Sequence, residues 1–419
     1  IVDSYSIDEE WHKALKPYCS KLMVIDDLAD RNYLCDILLD QTFGRDKKEY
    51  SHLTSKNCNF LMGSEYALLR SEFINSRPKS LKRRKNQDLD HLLINMGGID
   101  ATNITEKILD SLKFLNLNRD LKITIIMGAN APHIKSVRQK AAKSDHQINV
   151  LVDAKNIAQI MTNADIAIGA SGSTTWERCC LGLPSIQLAI SKNQENLSKI
   201  LASKNIIKLI KDVNEVSSMI ESAKDWMRDV GTLSAEICDG LGTSRVFNKM
   251  TDQIIYLKDY HEIEFCNYTN LVQSDVNLTL EMRNHIEIRS WMYNQKKISI
   301  SEHHDFIKKL ETETKTRYFL IKQKGKVIGS INFSGIVYGD SVDFGIYRNP
   351  FSQLKDLGRI LEAAGCQYAF RELRVEKINL EVLESNKKAI NFYTRCGFEF
   401  VKKTIINDLD VICMKKHKS

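Results

Sequence analysis

The chain has no C-x-x-C pair among its ten cysteines, no apolar run long enough to span a membrane and no recognisable signal peptide. Without that pairing the cysteines read as reduced, mostly buried thiols of a cytoplasmic protein. Cys179 and Cys180 are neighbours in sequence and point to different faces of a helix. The absent apolar run and leader give no support to a membrane partner. Internal repeats and low-complexity tracts are also missing. The one strongly basic stretch, residues 76–90, has few apolar side chains and no interleaved aromatic. It reads as a solvated linker rather than a nucleic-acid patch. The chain begins at Ile1, not Met, and Ile1-Val2-Asp3 reads as the end of a strand already under way. The expectation is a chain incomplete at its N-terminus.

What remains is ordinary for a globular protein. The 419 residues suffice for two or three domains, with 43% hydrophobic and 27% charged residues. A net charge of +7 suits an anionic ligand without demanding nucleic acid. Oligomeric state is not legible.

Short apolar runs at Leu22–Ile25, Ile37–Leu39 and Phe60–Met62 read as buried parallel strands, with Asp26-Asp27 and Asp40-Gln41 just past strand ends. A second series follows: Leu92–Met96, Ile123–Met127, Val150–Val152, Ile166–Ile168, Ser185–Leu188 and Ile206–Ile210, separated by helical patterns. That alternation predicts a doubly wound parallel sheet. Helical patterns from about 213 to 256 close it. Near Lys258–Glu264 the character changes to an α+β series, with strands such as Tyr318–Ile321, Val327–Phe333, Val342–Tyr347 and Ile378–Val382.

Four polar loops follow strands of the second series, and so share the sheet edge where open α/β sheets bind ligands. Asn95-Met-Gly-Gly-Ile-Asp100 carries Gly97 and Gly98, whose backbone could approach a ligand or simply turn. Gly128 is equally a turn. Ala170-Ser-Gly-Ser-Thr-Thr-Trp-Glu-Arg178 joins a strand to a helix start, which suits a phosphate, with Glu177 in reach of a ribose hydroxyl. Thr174-x-x-Glu177 also fits a capping box. In Ser191-Lys-Asn-Gln-Glu195, Asn193 and Gln194 could donate to phosphate or sugar, or Ser191 or Asn193 could cap a helix.

Together with Gly182-Leu-Pro-Ser185, Val2-Asp-Ser-Tyr5, Val24-Ile-Asp-Asp-Leu-Ala29 and Tyr66-Ala-Leu-Leu-Arg-x-Glu-Phe73, these segments resemble the UDP-sugar hydrolase of pseudaminic acid biosynthesis. That family is similar to the two-domain GT-B glycosyltransferases. The match covers about residues 1–258. It implies a partial N-terminal Rossmann-like unit at 1–80 and a UDP-binding Rossmann-like unit at 88–258. It also implies hydrolysis of UDP-2,4-diacetamido-2,4,6-trideoxy-β-L-altropyranose to UDP and free sugar. Ser173, Thr174 and Glu177 would meet the nucleotide, and Tyr5 and Asn193 would lie near the sugar–phosphate link. The family's catalytic His stands in a Gly-His-x-x-Arg segment that this chain lacks; His12 and His52 read as surface residues. The expectation is weak UDP binding and negligible hydrolysis. A GT-B glycosyltransferase, or a non-catalytic UDP-sugar-binding module, remains an alternative.

In the last third, Gln353-Leu-Lys-Asp-Leu357-Gly358 approximates the Gln/Arg-x-x-Gly-x-Gly/Ala loop of GNAT acetyltransferases, with Asp356 where the first glycine is usual. Glu381-Val-Leu-Glu-Ser-Asn386 and Ala389-Ile-Asn-Phe-Tyr393-x-x-Cys-Gly-Phe398 closely resemble the GNAT strand–helix–strand end. The resemblance implies a GNAT domain at 262–419 with acetyl-CoA as co-substrate, held by Gln353, Leu357, Gly358 and Asn386. Tyr393 would protonate the departing thiolate; otherwise it is a core aromatic bonded at its tip. Glu381 could take the amine proton through water, or be a buried structural carboxylate.

Met282-Arg-Asn284, Arg289-x-Trp-Met-Tyr-Asn294 and Ile298-Ser-x-Ser-Glu-His303 resemble the pseudaminic-pathway acetyltransferase, which acts on the 4-amino group of a UDP-4-amino-sugar. Arg283, Trp291, Met292, Tyr293 and His303 are then substrate residues; Trp291 to Tyr293 could instead be core. Glu302-His303-His304-Asp305 invites a metal, but Ser299-x-x-Glu302 is also a capping box and adjacent histidines on a helix point apart. No metal is expected.

Overall fold

The computed structural model describes residues 1–419 except 20, 87, 114, 116–120, 259, 260 and 419, and except the side chains of 86, 193 and 261. The chain divides into two compact units, Ile1–Thr243 and Ser244–Ser419.

The first unit holds two parallel sheets. In the smaller, β1 (Met23–Ile25), β2 (Ile37–Asp40) and β3 (Asn59–Met62) lie in that order. Val2 bridges Val24 in parallel, its N–H donating to the Met23 carbonyl at 2.8 Å. The larger contains β4 (His91–Asn95), β5 (Lys122–Met127), β6 (Gln147–Val152), β7 (Ile166–Ala170), β8 (Ser185–Leu188) and β9 (Lys208–Leu209). Their spatial order is β6-β5-β4-β7-β8-β9, all parallel. This is the doubly wound order with its switch point between β4 and β7. The strands read as continuous apolar runs because both faces are covered. Leu92, Ile94, Ile123 and Ile168 enter one core, while Leu93, Ile126 and Ala167 enter another.

The basic stretch expected as a solvated linker is helical over its first part, up to Arg83. Ser71–Arg83 is a helix with Arg84 as its C-cap, and Arg77 and Arg84 serve the interior. Arg77 donates to the Ala235 carbonyl at 2.8 Å. Arg84, 8% exposed, donates to the carbonyls of Leu181, Ala164 and Met161 at 2.9–3.0 Å. Long apolar stems let arginine cross a core and deliver its donors to carbonyls at helix ends.

The second unit is one mixed sheet of eight strands: β10 (Gln253–Leu257), β11 (His261–Asn267), β12 (Arg317–Gln323), β13 (Lys326–Val337), β14 (Ser341–Arg348), β15 (Lys377–Leu383), β16 (Glu399–Ile406) and β17 (Leu409–His417). The order is β10-β11-β12-β13-β14-β15-β17-β16. The helical pattern expected to reach 256 stops at Met250, and β10 pairs antiparallel with β11. Ile255 and Leu257 are buried while Ile254 and Tyr256 are exposed, so the period of two prevails. The unit therefore begins before the expected 258–262.

One face is packed by the helix Leu357–Arg371, the other by the helices Gln273–Asn284 and Ile300–Leu310. Among the described residues no helix is long and apolar enough to cross a membrane.

Candidate functional site

Two regions gather the candidate side chains, one in each unit. In the first unit the loops after β4, β5, β7 and β8 leave the same sheet edge, since those strands are parallel. Gly97 adopts φ +94°, and its N–H donates to Asn95 Oδ1 at 3.2 Å. Gly128 faces Gly98: a Cβ there would lie 2.2 Å from the Gly98 carbonyl oxygen, so it is more than a turn. The 170–174 turn is clamped from below by Arg178, which is buried and donates to the Ala170 carbonyl at 2.8 Å and to the Thr174 and Thr175 hydroxyls at 3.1 and 3.2 Å.

The capping box read at Thr174 does not form. Ser173, already helical at φ −55°, occupies the N-cap position of Thr174–Cys180 without a side-chain bond. Glu177 sits half-buried, 3.6 Å from Arg70 Nη2, with its carboxyl pushed up by burial against the pull of Arg70.

A cleft of about 710 Å³ opens beside this turn. Ser171, Gly172, Ser173, Lys192 and Gln194 line one side; Asp3, Tyr5, Asp26, Asp27 and Arg45 line the other. Of the expected residues it gathers Tyr5, Ser173 and Gln194, whereas Gly97, Gly98, Thr174 and Glu177 lie outside its lining. Gln194 Oε1 accepts from the Ile190 N–H at 3.0 Å. The Asn193 side chain lies outside the described residues. His12 is not a surface residue: it is fully buried, its Nδ1 accepts from the Leu34 N–H at 3.4 Å, and burial lowers its pKa. His52 is exposed.

In the second unit β14 and β15 run parallel but pair only over Ser341–Asp343 and Lys377–Asn379. Beyond that register the two strands offer each other no ladder, and the loop 349–356 leads from this opening into the helix Leu357–Arg371. Asp356 adopts φ +58°, the left-handed conformation that explains why a glycine is usual there; aspartate is among the residues that tolerate it. No side chain caps this helix start. Gln353 is exposed. Leu357 departs from expectation, because its side chain belongs to the core and only its backbone is left to face a ligand. Gly358 has ordinary clearance, a Cβ standing 3.5 Å from Phe392. Asn386 caps Lys387–Arg395, its Oδ1 accepting from the Ala389 N–H at 3.0 Å, which leaves its amide NH₂ as the outward donor.

Tyr393 is packed edge-on between Phe392 and Phe398, at 5.2 and 5.4 Å. Among the described residues no group bonds its hydroxyl, unlike a core tyrosine bonded at its tip. Burial and the nearby Glu362 push its pKa up, so it is a phenol at neutral pH. Glu381 is exposed, not a buried carboxylate, and accepts from the Tyr293 hydroxyl at 2.7 Å. Trp291 and Tyr293 are 46% and 41% exposed, so they are not core; Met292 is half-buried. Arg283 donates to the Asn294 carbonyl at 2.8 Å, and its buried Nη1 has no partner among the described residues. His303 is a correction. It is 3% exposed and bonded to Thr279 Oγ1 at 2.9 Å, which makes it a core histidine rather than a substrate contact. Glu302 makes the Ser299 capping box instead of a metal site. Among the described residues no group of three or more His, Cys, Asp or Glu side chains is placed to hold a metal ion.

Residues 283–398 match the acetyltransferase (GNAT) family model, and residues 91–230 match the glycosyltransferase family 28 C-terminal domain. Acetyltransferase PseH of Campylobacter jejuni is 34% identical over 154 residues, 37% of this chain and 94% of that protein. The chain belongs to the GNAT acetyltransferase family. A crystal structure of the C. jejuni acetyltransferase with acetyl coenzyme A is 30% identical and spans 38% of this chain and 99% of its own, with a TM-score of 0.32.

The first unit of this GNAT protein is homologous to the C. jejuni UDP-2,4-diacetamido-2,4,6-trideoxy-beta-L-altropyranose hydrolase, 29% identical over 205 residues, 49% of this chain and 70% of that protein. An uncharacterised Methanocaldococcus jannaschii protein is 24% identical over 416 residues, 96% of this chain and 81% of its own. Besides the expected residues, the GNAT protein carries Ser171, Asp27 and Arg178 at or beneath the first-unit cleft. Asp27 and Ser171 stood in motifs already noticed, but only the fold turns them toward the cleft.

Proposed function

We propose that the second unit transfers the acetyl group of acetyl-CoA to the 4-amino group of a UDP-4-amino-4,6-dideoxy sugar, and that the first unit hydrolyses the resulting UDP-diacetamido sugar to UDP and free sugar. The second half is a reading set against the negligible hydrolysis expected from the missing Gly-His-x-x-Arg segment, and an assay for released free sugar decides between them. The observation that carries the first half is the bond between Tyr293 and Glu381, 88 positions apart in sequence. It joins the exposed Trp291–Tyr293 surface, suited to a uracil or sugar face, to a carboxylate on the sheet.

Chemistry then assigns the steps. The amine must be neutral to attack the thioester carbon, and Glu381 accepts its proton through water. The C–S bond breaks as the C–N bond forms, and the thiolate takes the Tyr393 phenol proton. The uncapped start of Leu357–Arg371 and the Asn386 amide are available to the pyrophosphate and pantetheine of the coenzyme.

For the first unit, support comes from the cleft at the sheet's ligand-binding edge and from its homology to a UDP-sugar hydrolase. Product analysis with and without an acceptor sugar separates hydrolysis from glycosyl transfer. For the second unit, release of free thiol is followed with the UDP-amino-sugar and with a peptide amine. Turnover on the sugar supports the reading; turnover on the peptide alone contradicts it.

A further inference from the structure

The first-unit cleft carries charge of both signs. Asp3, Asp26, Asp27 and Glu49 stand on one wall, where Arg45 is already engaged by Asp40 and Glu49, each at 2.6 Å. The facing wall is the turn at 171–173 with Lys192 and Gln194. An anionic ligand opposite four carboxylates needs positive charge on its own side. Lys192 is exposed, so water and salt screen it. The second cation of that wall lies beneath the turn.

Arg178 is 1% exposed. It donates to the Ala170 carbonyl and to the Thr174 and Thr175 hydroxyls, all neutral acceptors, and its Nε has no partner among the described residues. Glu177, its neighbour in sequence, turns toward Arg70 instead. Burial lowers the Arg178 pKa to about 10, which keeps it cationic at neutral pH. The end of β7 makes room for it: a Cβ on Gly169 would stand 2.5 Å from Arg178 Nη1. Arg84 is the contrast. It is also buried, but it reaches three carbonyls and has the charge of Asp165 in its favour. A buried charge is normally paired, because an unpaired one is costly to take out of water. On the cleft side of the same turn Ser171 is 2% exposed and lines the cleft, and its hydroxyl has no partner among the described residues. A missing counter-charge and a missing hydrogen-bond partner thus meet at one turn. An anion with acceptor oxygens supplies both.

We propose, resting on the reading of the first unit as a UDP-sugar hydrolase, that Arg178 is the buried counter-charge for the nucleotide's diphosphate. It acts as a positioning residue. Its guanidinium holds the turn that carries Ser171 and attracts the phosphates through that turn without touching them. Being dehydrated and fixed by three hydrogen bonds, it needs no rearrangement when the ligand arrives, and bulk salt screens it less than it screens Lys192.

The test uses the full chain and three ligands of rising charge: uridine, UMP and UDP. Affinity is read from ligand protection of the backbone amides of residues 170–176 against hydrogen exchange, which reports the first unit alone. The wild type should prefer UDP to UMP and UMP to uridine, and most of that preference should persist in about 1 M salt. Arg178→Gln should weaken UDP by roughly 10–100-fold while uridine changes by about twofold or less, and Arg178→Lys should recover most of the loss. A residue that only shapes the turn would weaken all three ligands alike. That result overturns the proposal, as does unchanged UDP affinity in Arg178→Gln, or a wild-type preference that vanishes in salt. If Arg178→Gln does not fold, the salt series and Arg178→Lys decide. A wild type that UDP does not protect removes the nucleotide reading itself, and the proposal with it.

Discussion

Among the described residues nothing bonds the Tyr393 hydroxyl, which sits in an aromatic setting, and that decides how its removal reads out. Tyr393→Phe deletes the proton and no internal hydrogen bond. We expect kcat for acetyl transfer to fall by roughly 10²–10⁴ with the melting temperature nearly unchanged. Unchanged kcat with a lowered melting temperature would make Tyr393 a packing residue.

The buried histidines give a second prediction. His12 and His303 both have pKa values lowered from 6.5, chiefly by burial. Between the folded and unfolded values the unfolded chain binds more protons. Their stabilising effect is thus present above about pH 6.5 and is lost as pH falls through the lower folded values. Melting temperature should drop between pH 7 and pH 5, and His12→Gln should flatten the slope. A slope unaltered in that variant would show that His12 carries none of it. The role of such a residue was not legible in sequence. The motif around His12 is polar, and only the packing of Tyr33 against it, 6.4 Å between ring centres, shows why it is enclosed. Thr174 failed for a related reason. The spacing to Glu177 fits a capping box, but Arg178, drawn into the core, claims the Thr174 hydroxyl.

Among the elements, the parallel strands were the most legible, because their apolar runs are buried on both faces. The helix Ser71–Arg83 was the least. Counting charges makes 76–90 a solvated segment, while the structure uses those charges to satisfy carbonyls more than 75 residues away. Arg84→Met tests the difference. Losing donors to three buried carbonyls should cost roughly 2–4 kcal/mol, seen as a lower denaturant midpoint; a linker would show no change. Strand β10 was hidden by the helical pattern that precedes it. Because β10 is an edge strand paired through Gln253↔Phe265 to Leu257↔His261, a fragment starting at 261 should be less stable than one starting at 244. Equal melting temperatures would contradict that role.

At the scale of the molecule, the motifs carried the family assignments and the fold carried the sites. Tyr293 and Glu381 were proposed separately, as substrate contact and base, and only the sheet brings them to 2.7 Å. On the proposed function, joining the two activities in one chain would raise the local concentration of the acetylated intermediate. The most direct test gives the intact protein acetyl-CoA and the UDP-4-amino-sugar and follows every nucleotide and sugar species over time. The account predicts that the acetylated UDP-sugar rises first with one equivalent of free thiol, and that UDP and free diacetamido sugar then replace it. Thiol release without an acetylated UDP-sugar, or free sugar arising from unacetylated substrate, would contradict it.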